Sequence, residues 1–382
     1  MRFKKATGKI HLWLGLVSGL IIVVLGVTGC LLAFEHEIRM LTEPFRFVKA
    51  EEKLPLPPSV FKQIAEQRLH GKAASSIEYG KPGDAILISY YDANNYKIIF
   101  LNPYNGDVLK VKNMTRDFFR MVLNGHFYLW LPPSIGQPVV ASATLIFLTM
   151  LISGIVLWWP KNKAARKQRF SVKWNAKWKR TNYDLHNVFG FYMTWIAIFL
   201  AITGLVMGFE WFAKSVYWIS AAGKSMPAWY TPSSDTLAKP GDKLAIMDNT
   251  WRQMMQKKNK KEALSIFFAA GPSAALSVSI NHRPGTYYNM DNYYFDQYTG
   301  RELTGKGTYA GAYANASVAD KIKRMNYDIH IGAVLGLPGK MLAFFASLIA
   351  ASLPVTGFYI WWGRRKKKKL PSVSAKILYT VR

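Results

Sequence analysis

Of the seven histidines in 382 residues, four stand where long apolar segments begin or are about to begin. His11 and His186 open two such segments, and His126 and His330 stand just before two others. Neutral imidazoles at matched depth can hold a metal from two sides, each with its other ring nitrogen donating to an oxygen that fixes the ring. A haem iron with two histidine ligands suits electron transfer, and helical bundles build such sites from facing helices. The expected axial pairs are His11 with His186 and His126 with His330, one pair near each membrane face, for two haems b. For any single histidine the competing role is an interfacial side chain at headgroup level. His36 is the main rival for the second pair, because it ends the first apolar segment on that side. His70 and His282 fall in polar stretches and read as surface residues. The single cysteine, Cys30, excludes an intramolecular disulfide and a cysteine-clustered metal site.

These histidines need spans to position them, and four are expected at 10–34, 137–159, 185–209 and 340–362. Each approaches or exceeds the roughly 20 residues that cross about 30 Å of hydrocarbon. The net charge of +28 is concentrated at the flanks. Residues 1–9 carry Arg2, Lys4, Lys5 and Lys9, residues 160–183 carry nine Lys or Arg, and 363–382 carry eight, with no acid among them. The positive-inside rule then puts both termini and the middle loop in the cytoplasm. An RNA-binding tail is the rival for the run 364–369, but its place directly after Trp361-Trp362 favours a stop-transfer anchor on lipid over a nucleic-acid partner. Val27-Thr28-Gly29-Cys30 looks like a lipoprotein processing site, yet the apolar run from Ile10 is too long for a signal-peptide core and continues past the cysteine.

The chain repeats itself. His11, Thr28-Gly29 and Phe34-Glu35 match His186, Thr203-Gly204 and Phe209-Glu210 at a constant offset of 175. Arg120-Met121 leading to His126 parallels Arg324-Met325 leading to His330, and Ser153-Gly154 with Trp158-Trp159 parallels Thr356-Gly357 with Trp361-Trp362. Two parallel tandem halves are expected. The divisions are 1–36 (cytoplasmic N-terminus and first span), 37–136 (first external module), 137–160 (second span), 161–184 (basic loop), 185–210 (third span), 211–339 (second external module), 340–362 (fourth span) and 363–382 (basic tail). Each external module reads as a helix followed by alternating strands: 60–69 then 85–101, and 244–255 then 264–280 with 292–295. Both end on a hairpin signal, Asn105-Gly106 and Thr299-Gly300.

Two helix-plus-hairpin modules, each framed by a histidine-bearing span and a span ending in Trp-Trp, resemble the PepSY-associated transmembrane family. The resemblance covers nearly the whole chain, and by length and arrangement it is nearest the family's siderophore reductases. It implies an α-helical membrane protein with two α+β, PepSY-like periplasmic modules. It also implies haem-dependent reduction of ferric siderophores on the periplasmic side, with release of Fe(II). Oxygen donors hold Fe(II) less well than Fe(III), so that release needs no protein nucleophile.

Other residues have two readings each. Gly15 and Gly190, four residues after His11 and His186, serve close helix packing or leave room for a flat macrocycle. Thr28 and Thr203 are expected to hydrogen-bond their own backbone, and Glu35 and Glu210 to be solvated helix ends. Trp158, Trp159, Trp361 and Trp362 fit an interfacial belt. Tyr287, Tyr288, Tyr293 and Tyr294 are the densest candidate for docking a chelate, near Trp218, Trp229 and Tyr230; half-buried sheet is the competing role. No G-x-G-x-x-G follows a strand, so electrons are expected from a partner, a quinol or a cytoplasmic reductase. The rival functions are a siderophore or haem transporter and a membrane-anchored sensor or peptidase inhibitor.

Overall fold

The structure is a computed structural model that describes residues 2–160, 162, 163, 166, 169–238 and 241–365. The first half runs α1 (Arg2–Ala33), α2 (Glu35–Thr42), α3 (Pro58–Arg68), β1 (Ser76–Tyr79), β2 (Ile86–Tyr91), β3 (Tyr96–Leu101), β4 (Val108–Asn113), α4 (Phe118–Tyr128) and α5 (Pro133–Trp158). The second runs α6 (Trp178–Gly208), α7 (Glu210–Ser220), α8 (Lys243–Lys257), β5 (Ala263–Phe267), β6 (Leu276–Asn281), β7 (Met290–Phe295), β8 (Glu302–Leu303), α9 (Val318–His330) and α10 (Leu337–Arg365).

Among the described residues four helices, α1, α5, α6 and α10, are long and apolar enough to cross a membrane. They close into a ring in which α1 packs on α5 and α10, and α6 packs on the same two. Small residues let the backbones approach: a Cβ added at Gly26 would lie 2.8 Å from the Cβ of Ala351, and one at Gly208 2.7 Å from that of Ala141. The outward faces carry side chains such as Val17 and Leu20, more than two thirds exposed and suited to lipid.

Helices α1 and α6 begin roughly two turns before the expected spans. The polar residues there do not break a helix, and hydropathy marks only the buried-in-lipid part. His11 and His186 therefore sit well inside their helices. Likewise His126 and His330 lie on separate short helices, α4 and α9, rather than on lead-ins to the next span.

The external strands differ more from expectation. The two expected modules keep their strands together and join edge to edge, so both halves contribute to one eight-stranded antiparallel sheet in the order β4-β3-β2-β1-β5-β6-β7-β8. The joint is β1 against β5, with Ile77 opposite Ile266. Strand β1 had no place in the sequence expectation, because four residues are too short for periodicity to show. Both hairpin signals hold: Gly106 (φ +79°) and Gly300 (φ +70°) occupy left-handed positions that favour glycine. Helices α3 and α8 cover one face, where Phe61, Trp251 and Met254 meet Ile77, Ile88, Leu264, Ile266 and Val278 in one continuous core. Burying a side chain of that kind stabilises by about 1.5–3 kcal/mol.

Candidate functional site

Among its described residues the bundle forms two partly open cavities, each lined by two of the four histidines. His126 and His330 line a cavity of about 170 Å³ on the sheet side. His11 and His186 line one of about 420 Å³ toward the opposite end. The pairs are the two that share depth in the repeat, and in each one histidine comes from either half of the chain.

All four rings are held the same way. The Nδ1 atoms of His11, His126, His186 and His330 each lie 2.9 Å from one hydroxyl, that of Ser153, Thr28, Thr356 and Thr203 respectively. Each hydroxyl in turn donates to a carbonyl of its own helix: Ser153 to Met150 at 3.1 Å, Thr28 to Val24 at 2.7 Å, Thr356 to Ser352 at 3.0 Å and Thr203 to Phe199 at 2.7 Å. A hydroxyl has one proton. With that proton committed to the backbone, the oxygen accepts from the imidazole N–H, so Nδ1 carries the hydrogen and Nε2 keeps its lone pair. The expected backbone bonds of Thr28 and Thr203 are thus present, and the same atoms also orient the histidines. The repeat already set each of these hydroxyls before a glycine; what sequence reasoning missed is that the four hydroxyls hold the four histidines. A Cβ at Gly29, Gly154, Gly204 or Gly357 would lie 3.2–3.7 Å from Cε1 of the histidine bound next to it. The hydroxyl-glycine pair in every span was the available signal.

Two histidines have a further hold. Asn182 and Asn326, four residues before His186 and His330, donate to the main-chain carbonyls of Thr356 and Thr203, each at 3.1 Å. Asparagine and histidine one turn apart therefore grip a single threonine by its carbonyl and its hydroxyl. The near-identical pentapeptides 182–186 and 326–330 encode this clamp.

The donor set fits a haem. Each cavity presents two imidazoles with unprotonated Nε2 atoms, and among the described residues no group of three or more His, Cys, Asp or Glu gathers to complete a metal site. The ring centres of His126 and His330 are 6.2 Å apart. Two imidazoles on opposite sides of one metal, at the roughly 2 Å of a metal–imidazole bond, have centres about 6 Å apart. Gly15 and Gly190 both line the sheet-distal cavity and also serve packing, against Met150 and Leu353.

The remaining candidates separate. His36 lines neither cavity; it lies near Gly285 and the Lys340 ammonium. His70 is an exposed turn residue. His282, expected on the surface, is half-buried between Glu262 (2.7 Å) and Asp291 (3.0 Å). Burial alone would lower its pKa, but the bonds to the two carboxylates outweigh burial and raise it. Glu210 is an exposed helix end paired with Lys214, whereas Glu35 lines the sheet-side cavity and bonds Arg39 at 2.8 Å. Trp158 is not interfacial: it is buried, stacked 3.7 Å from Phe191, and lines the sheet-distal cavity.

The four tyrosines do not form one docking face. Tyr294 is 5% exposed and packs against Gly305. Tyr293, its neighbour on β7, faces the other side of the sheet and packs against the α3–α8 core. Tyr288 packs on Tyr313. Only Tyr287 reaches the site, its ring edge-on to Tyr327, which lines the sheet-side cavity. The backbone N–H of Tyr287 donates to both carboxylate oxygens of Asp328, and burial pushes that carboxyl up to about 6 against these donors. Trp229 packs on Tyr309.

Comparison with known sequences now bears on this arrangement. The family described as the PepSY-associated TM region matches residues 9–364. The chain belongs to that family. The match takes in the sheet and nearly all of the four candidate membrane helices, and this PepSY-associated protein is a membrane protein. No match is found among curated proteins.

Proposed function

We propose that this PepSY-associated membrane protein is a haem-dependent oxidoreductase of the bacterial inner membrane that reduces ferric siderophores in the periplasm and releases Fe(II). In length and arrangement it resembles the siderophore reductase FoxB. The supporting observation is that two cavities, stacked along one bundle, each hold two histidines whose Nδ1 protons are committed to hydroxyl acceptors. Bound between each pair, a haem b supplies a one-electron Fe(III)/Fe(II) couple.

The chain's own residues do the positioning. The hydroxyls of Thr28, Ser153, Thr203 and Thr356 fix the tautomer and aim of the four ligand rings, and Asn182 and Asn326 fix the height of His186 and His330. Apolar helices exclude water from the bundle between the sites. Tyr287 and Tyr327 offer aromatic faces near the sheet-side mouth, where a bulky amide-rich chelate would dock. The basic flanks orient the bundle with both termini in the cytoplasm, so the sheet lies in the periplasm. The electron enters from a quinol or a cytoplasmic reductase, and one electron is consumed for each Fe(III) reduced and released as Fe(II).

The test is a reduced-minus-oxidised visible spectrum of the purified protein with haem counted per chain, repeated for alanine at His11, His186, His126 and His330. Two six-coordinate b-type signals are expected, one lost on changing either member of a pair. A colourless protein that takes up no added haem overturns the reading and favours a transporter or a membrane-anchored sensor.

A further inference from the structure

The two cavities are alike in their histidines and opposite in charge. Apart from histidine, Arg169 and Arg364 are the only charged residues lining the sheet-distal cavity among the described residues, which place no acid on its walls. Among the described residues the only one lining the sheet-side cavity is Glu35. Arg169 is half-buried and spends one donor on Asn187, Nη1 to Oδ1 at 3.1 Å. Asn187 itself donates to Tyr183, and Trp158 Nε1 donates to the Arg169 carbonyl at 3.3 Å, so the arginine's backbone and side chain are both anchored at the cavity wall. A guanidinium has five N–H donors in a planar fork that matches a carboxylate. The nearby carboxylate of Asp184 is taken by Arg180 at 2.9 Å, and it does not line the cavity.

From this contrast, and resting on the haem reading above, we infer that the sheet-distal cavity is a dicarboxylate-recognising macrocycle site, in which Arg169 and Arg364 each bind one carboxylate of the occupant, while the sheet-side cavity holds its macrocycle without such pairing. A haem carries two carboxylate arms on one edge. A macrocycle held by His11 and His186 with that edge toward Arg169 and Arg364 places both carboxylates at the basic end of the bundle, where water also reaches them. The sheet-side cavity offers a carboxylate, Glu35, in the corresponding role. Its occupant is therefore held by the two histidines and by apolar walls, and its affinity depends little on the arms.

The experiment uses the full chain, prepared without haem, in two backgrounds: His126→Ala/His330→Ala, which keeps the sheet-distal site, and His11→Ala/His186→Ala, which keeps the other. Each is titrated with ferric haem and with its dimethyl ester, which lacks the two charges, following the Soret band. In the sheet-distal background the ester should bind at least roughly tenfold more weakly, the scale of a lost charge-assisted contact. Arg169→Gln/Arg364→Gln should erase that preference, and Arg169→Lys/Arg364→Lys should keep most of it. In the sheet-side background the two ligands should bind alike. Equal binding of haem and ester at the sheet-distal site, or a preference that survives the glutamine variant, overturns the inference while leaving the haem reading intact. Absence of a Soret band in every background overturns the haem reading, and the inference with it.

Discussion

A single hydroxyl decides which nitrogen of each histidine is free. Thr203 Oγ1 accepts from His330 because its own proton is held by Phe199, and the same logic repeats at Thr28, Ser153 and Thr356. Thr203→Val or Thr356→Val keeps the shape and removes the acceptor. Loss of such an outer partner typically weakens metal binding about 10–100-fold. Haem retention should fall by that order in a titration, and Thr→Ser should restore it. Asp328 makes a separate residue-scale prediction. Its folded carboxyl titrates at about 6, above the unfolded value of about 3.9. The folded state therefore holds the proton more tightly, so this contribution to stability is complete below about 4 and is lost as the pH rises to about 6. Relative to wild type, Asp328→Asn should remove that decline from melting midpoints measured between those pH values.

At the scale of an element, α4 must present His126 to a helix it is not joined to. Asp117 does the anchoring: it caps the helix through the Arg120 N–H at 3.0 Å and takes both Arg39 and Lys112. At the other end Trp130 lies over Gly125, where no Cβ would fit, and donates to the Met121 carbonyl at 3.0 Å. Burial opposes the ionised form of Asp117, but hydrogen bonds from Arg39 and Lys112 outweigh it and hold the carboxyl well below its usual range. The sign is opposite to that of Asp328: this stability is present above about 3.9 and is lost as the pH falls through the folded value. Arg39→Met leaves the carboxylate buried without its main partner. It should cost about 3–5 kcal/mol in denaturant unfolding, and it should lower haem retention at the sheet-side site more than at the other.

For the whole molecule, the shared sheet adds a second tie between the two halves beside the helix ring. Ile77 and Ile266 face each other across the β1–β5 joint with no exposed surface. Ile266→Ala should cost about 2–5 kcal/mol as a buried large-to-small change. Because the core is continuous under α3 and α8, hydrogen exchange should quicken in β2–β3 as well as in β6–β7. Acceleration confined to the second half would show that the halves unfold separately.

Much of this was legible in the chain. Four spans follow from hydropathy, because apolar length against hydrocarbon thickness is a one-dimensional property. The histidine candidates and the hairpin tips follow from spacing and from Gly106 and Gly300, which act locally. The sequence could not say that β1 pairs with β5, since that register depends on residues nearly two hundred positions apart, and it placed the four tyrosines together only because they are adjacent in the chain. Strand alternation sends Tyr293 and Tyr294 to opposite faces. Only the tertiary structure brought Thr28 to His126 and Thr203 to His330. A hydroxyl that bonds its own helix in every reading of the sequence acquires its second partner when another helix packs against it.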